Sequence, residues 1–204
     1  MGDEPRAPRS VIIACGALAR EILAVIEANR LDHIELVCLP ALLHNRPERI
    51  PEAVRQAIRE ARPEFERIFI AYADCGTGGA LDRVLAEEGA ARLPGAHCYA
   101  FYSGIEAFAA RGDDDMRAFF LTDFLARQFD TLIIEGLGLD RHPELRDSYF
   151  GNYRTLVYLS QTVDADLTER ARAAAARLGL EFEHRHVGYG DLATEIERFG
   201  RRGG

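Results

Sequence analysis

Four cysteines, Cys15, Cys38, Cys75 and Cys98, carry much of the chemistry open to this 204-residue chain. Cys38 lies within the apolar run Ile34 to Leu39 and reads as a small buried residue. The other three each stand where an apolar run gives way to a loop, and Cys15 and Cys75 are followed directly by glycine. Thiolates brought together repel one another, and a bound cation relieves that repulsion. Zinc takes thiolate sulfur at ~2.3 Å and imidazole nitrogen at ~2.0 Å in tetrahedral geometry; an iron–sulfur cluster takes cysteine ligands too. No Cys-x-x-Cys pair occurs, so a shared site depends on the fold to assemble it. Three readings are open for Cys15, Cys75 and Cys98: metal ligands, buried structural residues, or a redox or nucleophilic thiol. Zinc binding is the leading expectation, with an iron–sulfur cluster as the alternative.

His44, in the loop after the second apolar run, is the candidate fourth ligand; capping the next helix is its alternative role. His97 neighbours Cys98 and should point away from it if that segment is a strand. His142 is a candidate for a site in the second half, whereas His33, His184 and His186 read as surface or strand residues. Asp74, beside Cys75, and Glu21, one turn into the first helix, are the candidate acid–base or ligand-orienting groups, with a solvated or helix-capping carboxylate as the other reading of each. Gly16, Gly76, Gly78 and Gly79 are candidate cofactor-binding positions, where a bare backbone could approach a metal centre, its substrate or an anion. The dinucleotide pattern is absent.

The elements that must position these residues alternate. Strands are expected at Ser10 to Ala14, Ile34 to Leu39, Arg67 to Tyr72, near Ala96 to Cys98, and at Thr131 to Glu135, Thr155 to Leu159 and Leu180 to His186. Helices are expected at about 17–29, from Pro51, at 80–88, through most of 105–129, and at 167–178. This order implies an α/β fold, a mostly parallel sheet with flanking helices, forming a single domain over 11–199 with a possible helical insert. Residues 1–10 read as a disordered lead-in and 200–204 as a frayed tail. In a parallel sheet the carboxyl ends of the strands share one edge, so distant cysteines can meet there.

Composition narrows the function. The net charge of -8 disfavours nucleic-acid binding. All 25 basic residues are arginine, which excludes a Walker lysine, a lysine Schiff base and a pyridoxal-phosphate anchor. No apolar run approaches the ~20 residues that span a bilayer, and no signal peptide is visible. The expected location is the cytoplasm, where permanent disulfides are rare.

Ala14-Cys-Gly-Ala-Leu-Ala-Arg-Glu21, Leu43-His-Asn45, Tyr72-Ala-Asp-Cys-Gly-Thr-Gly-Gly79 and His97-Cys-Tyr-Ala-Phe-Tyr102 together resemble the bacterial and archaeal family known as domain of unknown function 1638. Gly136-Leu-Gly-Leu-Asp-Arg-His-Pro-Glu-Leu145, Phe150-Gly-Asn-Tyr153 and Gly188-Tyr-Gly190 extend the similarity to about residues 10–192. Members of that family occur alongside corrinoid-dependent methyltransferases. The resemblance therefore implies one-carbon or methylated-amine metabolism; joined to the cysteine reading, the expectation is a cytoplasmic metal-binding enzyme or accessory factor there, with a corrinoid protein, a methyltransferase or a small molecule as partner. The alternative is a non-catalytic binding module for a corrinoid protein or small ligand, with structural cysteines.

Overall fold

A computed structural model describes residues 8–201, with the side chains of 113 and 114 left out. Strand β1 (Ser10–Cys15) is buried at every position, as its unbroken apolar run requires of a central strand. A 3-10 turn at Gly16–Leu18 leads into α1 (Ala19–Ala28), which buries Ile22 and Val25. β2 (Ile34–Leu39), α2 (Ile50–Ala61), β3 (Arg67–Ala71), α3 (Ala80–Glu88) and the two-residue β4 (Ala91–Arg92) complete the first sheet and its helices. The strands are all parallel, in the order β2-β1-β3-β4.

α4 (Cys98–Ser103), α5 (Ile105–Ala110) and α6 (Gly112–Asp115) lead to β5 (Ala118–Thr122) and α7 (Asp123–Arg127). A π-helix at Asp130–Glu135, α8 (Arg146–Phe150), β6 (Thr155–Ser160), α9 (Ala165–Leu178) and β7 (Glu181–His186) follow. β5, β6 and β7 form a second parallel sheet in that order. One face packs Leu121, Leu156 and Tyr158 with Phe129, Phe150, Leu167, Ala171 and Leu178. The other packs Phe120, Val157 and Leu159 against Tyr99, Phe108 and Val187. The closing helix α10 (Gly190–Arg201) returns to the first sheet's unit, where the Phe199 ring stacks on Phe69 at 5.2 Å.

The parallel α/β class is as expected. The chain groups into two compact units, residues up to Cys98 with those from Asp191 onward, and Tyr99–Gly190. β4 stops after two residues, at Leu93-Pro94, and the next strand, β5, starts another sheet. The expected lead-in and tail fall largely outside the described residues; within them, β1 already begins at Ser10 and α10 reaches Arg201.

Three element assignments also change. Thr131 to Glu135 is π-helical, continuing the turn of α7 through Leu132 N–H to Gln128 O (2.9 Å) and Gly136 N–H to Thr131 O (3.0 Å). A short apolar run does not by itself separate a strand from a buried helical segment. For the same reason Ala118–Thr122, expected within a helical stretch, is a strand. No strand forms at Ala96 to Cys98, because Pro94-Gly95 interrupts the backbone and Cys98 opens α4.

Candidate metal centre

β1, β2 and β3 run side by side in one direction, with Cys15 opposite Leu39 and Ala14 opposite Ala71. The residues just beyond these strands therefore gather at one edge. Cys15 closes β1, and its Sγ accepts from Ala17 N–H at 3.4 Å, capping the 3-10 turn. His44 comes from a second 3-10 turn, Ala41–Asn45, directly after β2. Gly16 permits this approach: a Cβ there would stand 3.1 Å from the Leu39 carbonyl oxygen. The Nδ1 of His44 lies 3.5 Å from the Sγ of Cys15.

Cys75 and Cys98 are joined by backbone bonds. Asp74 N–H donates to Gly95 O at 3.1 Å and Cys75 N–H to Ala96 O at 2.9 Å, which lays the 95–96 segment along the end of β3 and delivers Cys98 beside Cys75. Arg92 holds the same segment, donating to the carbonyls of Leu93 (2.7 Å) and Gly95 (3.1 Å) while paired with Asp82. Cys75 has a φ of 50°, unusual for a residue with a Cβ. His44, Cys75 and Cys98 each offer a ligand atom, and these atoms all lie within 4.8 Å of one another. Tetrahedral thiolates at ~2.3 Å from zinc would stand about 3.8 Å apart, so a small contraction suffices. Two soft sulfurs and an imidazole are a donor set that zinc accepts, and the group could hold a metal ion.

The electrostatics of the cluster suit a cation. A hydrogen bond from Cys98, together with the His44 imidazole, lowers the Cys75 thiol to about 5 against the opposing effect of burial. The bond to Cys75, together with desolvation, pushes the Cys98 thiol well up. Burial opposes charge on His44, but hydrogen bonds to Cys15 and Cys75 and their charge raise it to about 10. These shifts favour a thiolate on Cys75 facing an imidazolium on His44, and a metal would replace the protons on His44 and Cys98.

Sequence reasoning missed Tyr72. It directly follows β3, is 1 % exposed, and its hydroxyl has no hydrogen-bond partner among the described residues. Burial and the nearby Cys15 thiol push its pKa up. Its aromatic, strand-terminal character reads as ordinary core, and only the topology sets its hydroxyl among thiols.

Asp74 is tied into its own loop. Its carboxylate accepts from the Thr77 hydroxyl (2.7 Å), Gly78 N–H (3.1 Å) and Gly79 N–H (2.8 Å). The loop's own aspartate takes the amides that an anion would use, so Gly78 and Gly79 serve the turn, with φ of 60° and 78°. Gly76, at φ 83°, lies against Pro47. Glu21 is buried on α1. Cys38 is exposed rather than buried, because β2 is the outer strand and has a neighbour on one side only. His97 is exposed, and His142 pairs with Glu144 at 3.2 Å on the surface. Tyr99 packs on Phe120, and Tyr153 on Phe119 and Phe150.

Fold and site together define a parallel α/β protein with a thiol–imidazole cluster at the carboxyl edge of its first sheet. A family model described as Protein of unknown function (DUF1638) matches residues 38–196, and the chain belongs to that family. The matched span includes His44, Cys75 and Cys98 and begins after Cys15. No curated protein and no solved structure matches the chain. No helix among the described residues is long and apolar enough to cross a membrane.

Proposed function

We propose that this chain is a cytoplasmic zinc-binding protein, an enzyme or accessory factor in one-carbon methyl transfer, with His44, Cys75 and Cys98 as ligands and Cys15 beside them. The observation that carries the metal reading is the convergence of three ligand atoms within 4.8 Å from three separate segments of the chain. Bound zinc would act as a Lewis acid, lowering the pKa of a thiol or water held there. Cys75 is already poised as a thiolate, and Tyr72 offers an unpartnered buried hydroxyl to a ligand at the centre. Three protein ligands with an open position suit chemistry; recruitment of Cys15 as a fourth would close the site into a structural one. The one-carbon setting, with a corrinoid protein or its methyltransferase as partner and a small-molecule ligand, comes from the family resemblance.

Elemental analysis of protein purified without added metal tests this. About one equivalent of zinc, with Cys75 and Cys98 shielded from thiol reagents until a chelator is added, is the expected result. Less than ~0.2 equivalents of zinc or iron with all thiols reacting freely rejects it. Brown protein with iron and sulfide would make the centre an iron–sulfur cluster.

The Cys75–His44 pairing also favours a second reading, a reactive thiol without metal. That reading predicts rapid alkylation of Cys75 at pH 6, unaffected by prior addition of zinc.

A further inference from the structure

The carboxyl edge of the second sheet carries a cluster made of other residues. Ser160 closes β6 and is 1 % exposed; its Oγ lies 2.9 Å from Nε2 of His184 and 3.0 Å from Nδ1 of His186. His184 and His186 are two apart on β7, so both project from one face of the strand. The register sets His184 opposite Tyr158 and His186 opposite Ser160. The His184 ring stacks on Tyr158 at 5.1 Å and 18°, and the Tyr158 hydroxyl donates to the buried Asp123 carboxylate at 2.7 Å. Asp123 in turn accepts from the backbone N–H groups of Gln161 (3.1 Å) and Thr162 (3.0 Å). The plane of His184 is therefore held from below by a fully bonded core.

A serine hydroxyl can donate to one ring nitrogen and accept from the protonated nitrogen of the other, so both ring nitrogens converge on one oxygen. A divalent cation can instead use the lone pairs of both imidazoles and the hydroxyl oxygen at once. Both histidines are exposed on an outer strand, open to solvent. With no thiol in the group and two imidazoles, the preference is for zinc, nickel or copper over calcium or magnesium.

We propose that His184, His186 and Ser160 form a second divalent transition-metal site, with water completing its coordination. It goes beyond the cysteine centre and does not depend on it.

The test is calorimetric titration of Ni2+ into the full chain under reducing conditions, comparing wild type with the His184→Ala/His186→Ala variant. Both histidines are exposed, so this variant should keep the native circular dichroism spectrum. Wild type should bind one equivalent more than the variant. Ser160→Ala should weaken that equivalent by roughly tenfold, and Cys75→Ser/Cys98→Ser should retain it. Equal stoichiometry in wild type and the histidine variant overturns the proposal, as does loss of the same equivalent in the cysteine variant while that variant remains folded. Should either variant unfold, nitrogen NMR of the wild-type imidazoles decides: Zn2+ must shift the His184 and His186 ring nitrogens together, and unmoved rings reject the site.

Discussion

The Nδ1 of His44 stands 3.5 Å from the Sγ of Cys15, although 29 residues separate them in the chain. The contact exists because β1 and β2 are parallel neighbours and end in register, Cys15 against Leu39. His44 touches Cys15 and also belongs to the ligand group with Cys75 and Cys98, so it links the thiol of the first loop to those of the third and fourth.

This linkage sets a graded response to substitution. His44→Ala, Cys75→Ser and Cys98→Ser should each remove about one equivalent of tightly held zinc. Cys15→Ser should retain the metal but weaken it by about 10–100-fold, as expected for a partner that orients a ligand. Cys38→Ser should leave the stoichiometry unchanged, since Cys38 is exposed on β2. Metal analysis after dialysis against graded chelator reads all five; retention of full zinc by Cys75→Ser would remove Cys75 from the site.

Tyr72→Phe should have opposite effects in the two states of the site. The hydroxyl is buried without a partner, so its removal should alter metal-free stability by less than ~1 kcal/mol or raise it. The same change should weaken binding of whatever ligand occupies the centre. Denaturant unfolding with and without chelator makes the comparison. A metal-free loss above about 2 kcal/mol would show that the hydroxyl has a protein partner.

Asp74→Ala should destabilise the loop by about 1–3 kcal/mol, since three donors lose their acceptor at once. Asp74→Asn keeps one acceptor oxygen and should lose less. Urea unfolding of both variants ranks them. An Ala variant as stable as the parent would mean that the glycine loop holds its shape unaided.

Asp115 should make the second unit sensitive to acid. Burial opposes its charge, but hydrogen bonds from Arg185, two at 3.0 Å, and from Arg111 hold its carboxyl below the usual range. A depressed folded-state pKa stabilises the fold above the ordinary carboxylate value of about 4, and that contribution fades as pH falls through the folded pKa. Asp115→Asn should cost roughly 1–3 kcal/mol at pH 7 and flatten the stability profile below pH ~4. Thermal melts from pH 7 to 2 provide the check; parallel profiles for parent and variant would remove Asp115 as a source of acid lability.

Much of the first unit was legible in the sequence. Short, largely apolar runs mark β1, β2 and β3, and alternation with amphipathic helices implies parallel pairing. From that alone Cys15, His44 and Cys75 belong at one edge, because a parallel strand has only one carboxyl end. Local composition also marked the glycine turn after Cys75. The sequence likewise determined what chemistry is excluded, since a chain without lysine has no Walker or Schiff-base residue.

Only tertiary structure decided the rest. Cys98 reaches Cys75 through the bonds of Gly95 and Ala96 to the end of β3, not through a strand of its own, and no periodicity encodes such a connection. Exposure of Cys38 follows from strand order, which a run of apolar residues does not contain. Asp74 binds its own loop, because hydrogen-bond partners depend on the turn's three-dimensional path. His184 and His186 meet at Ser160 only because β6 and β7 pair in a particular register, and register is a property of two strands together, invisible in either alone.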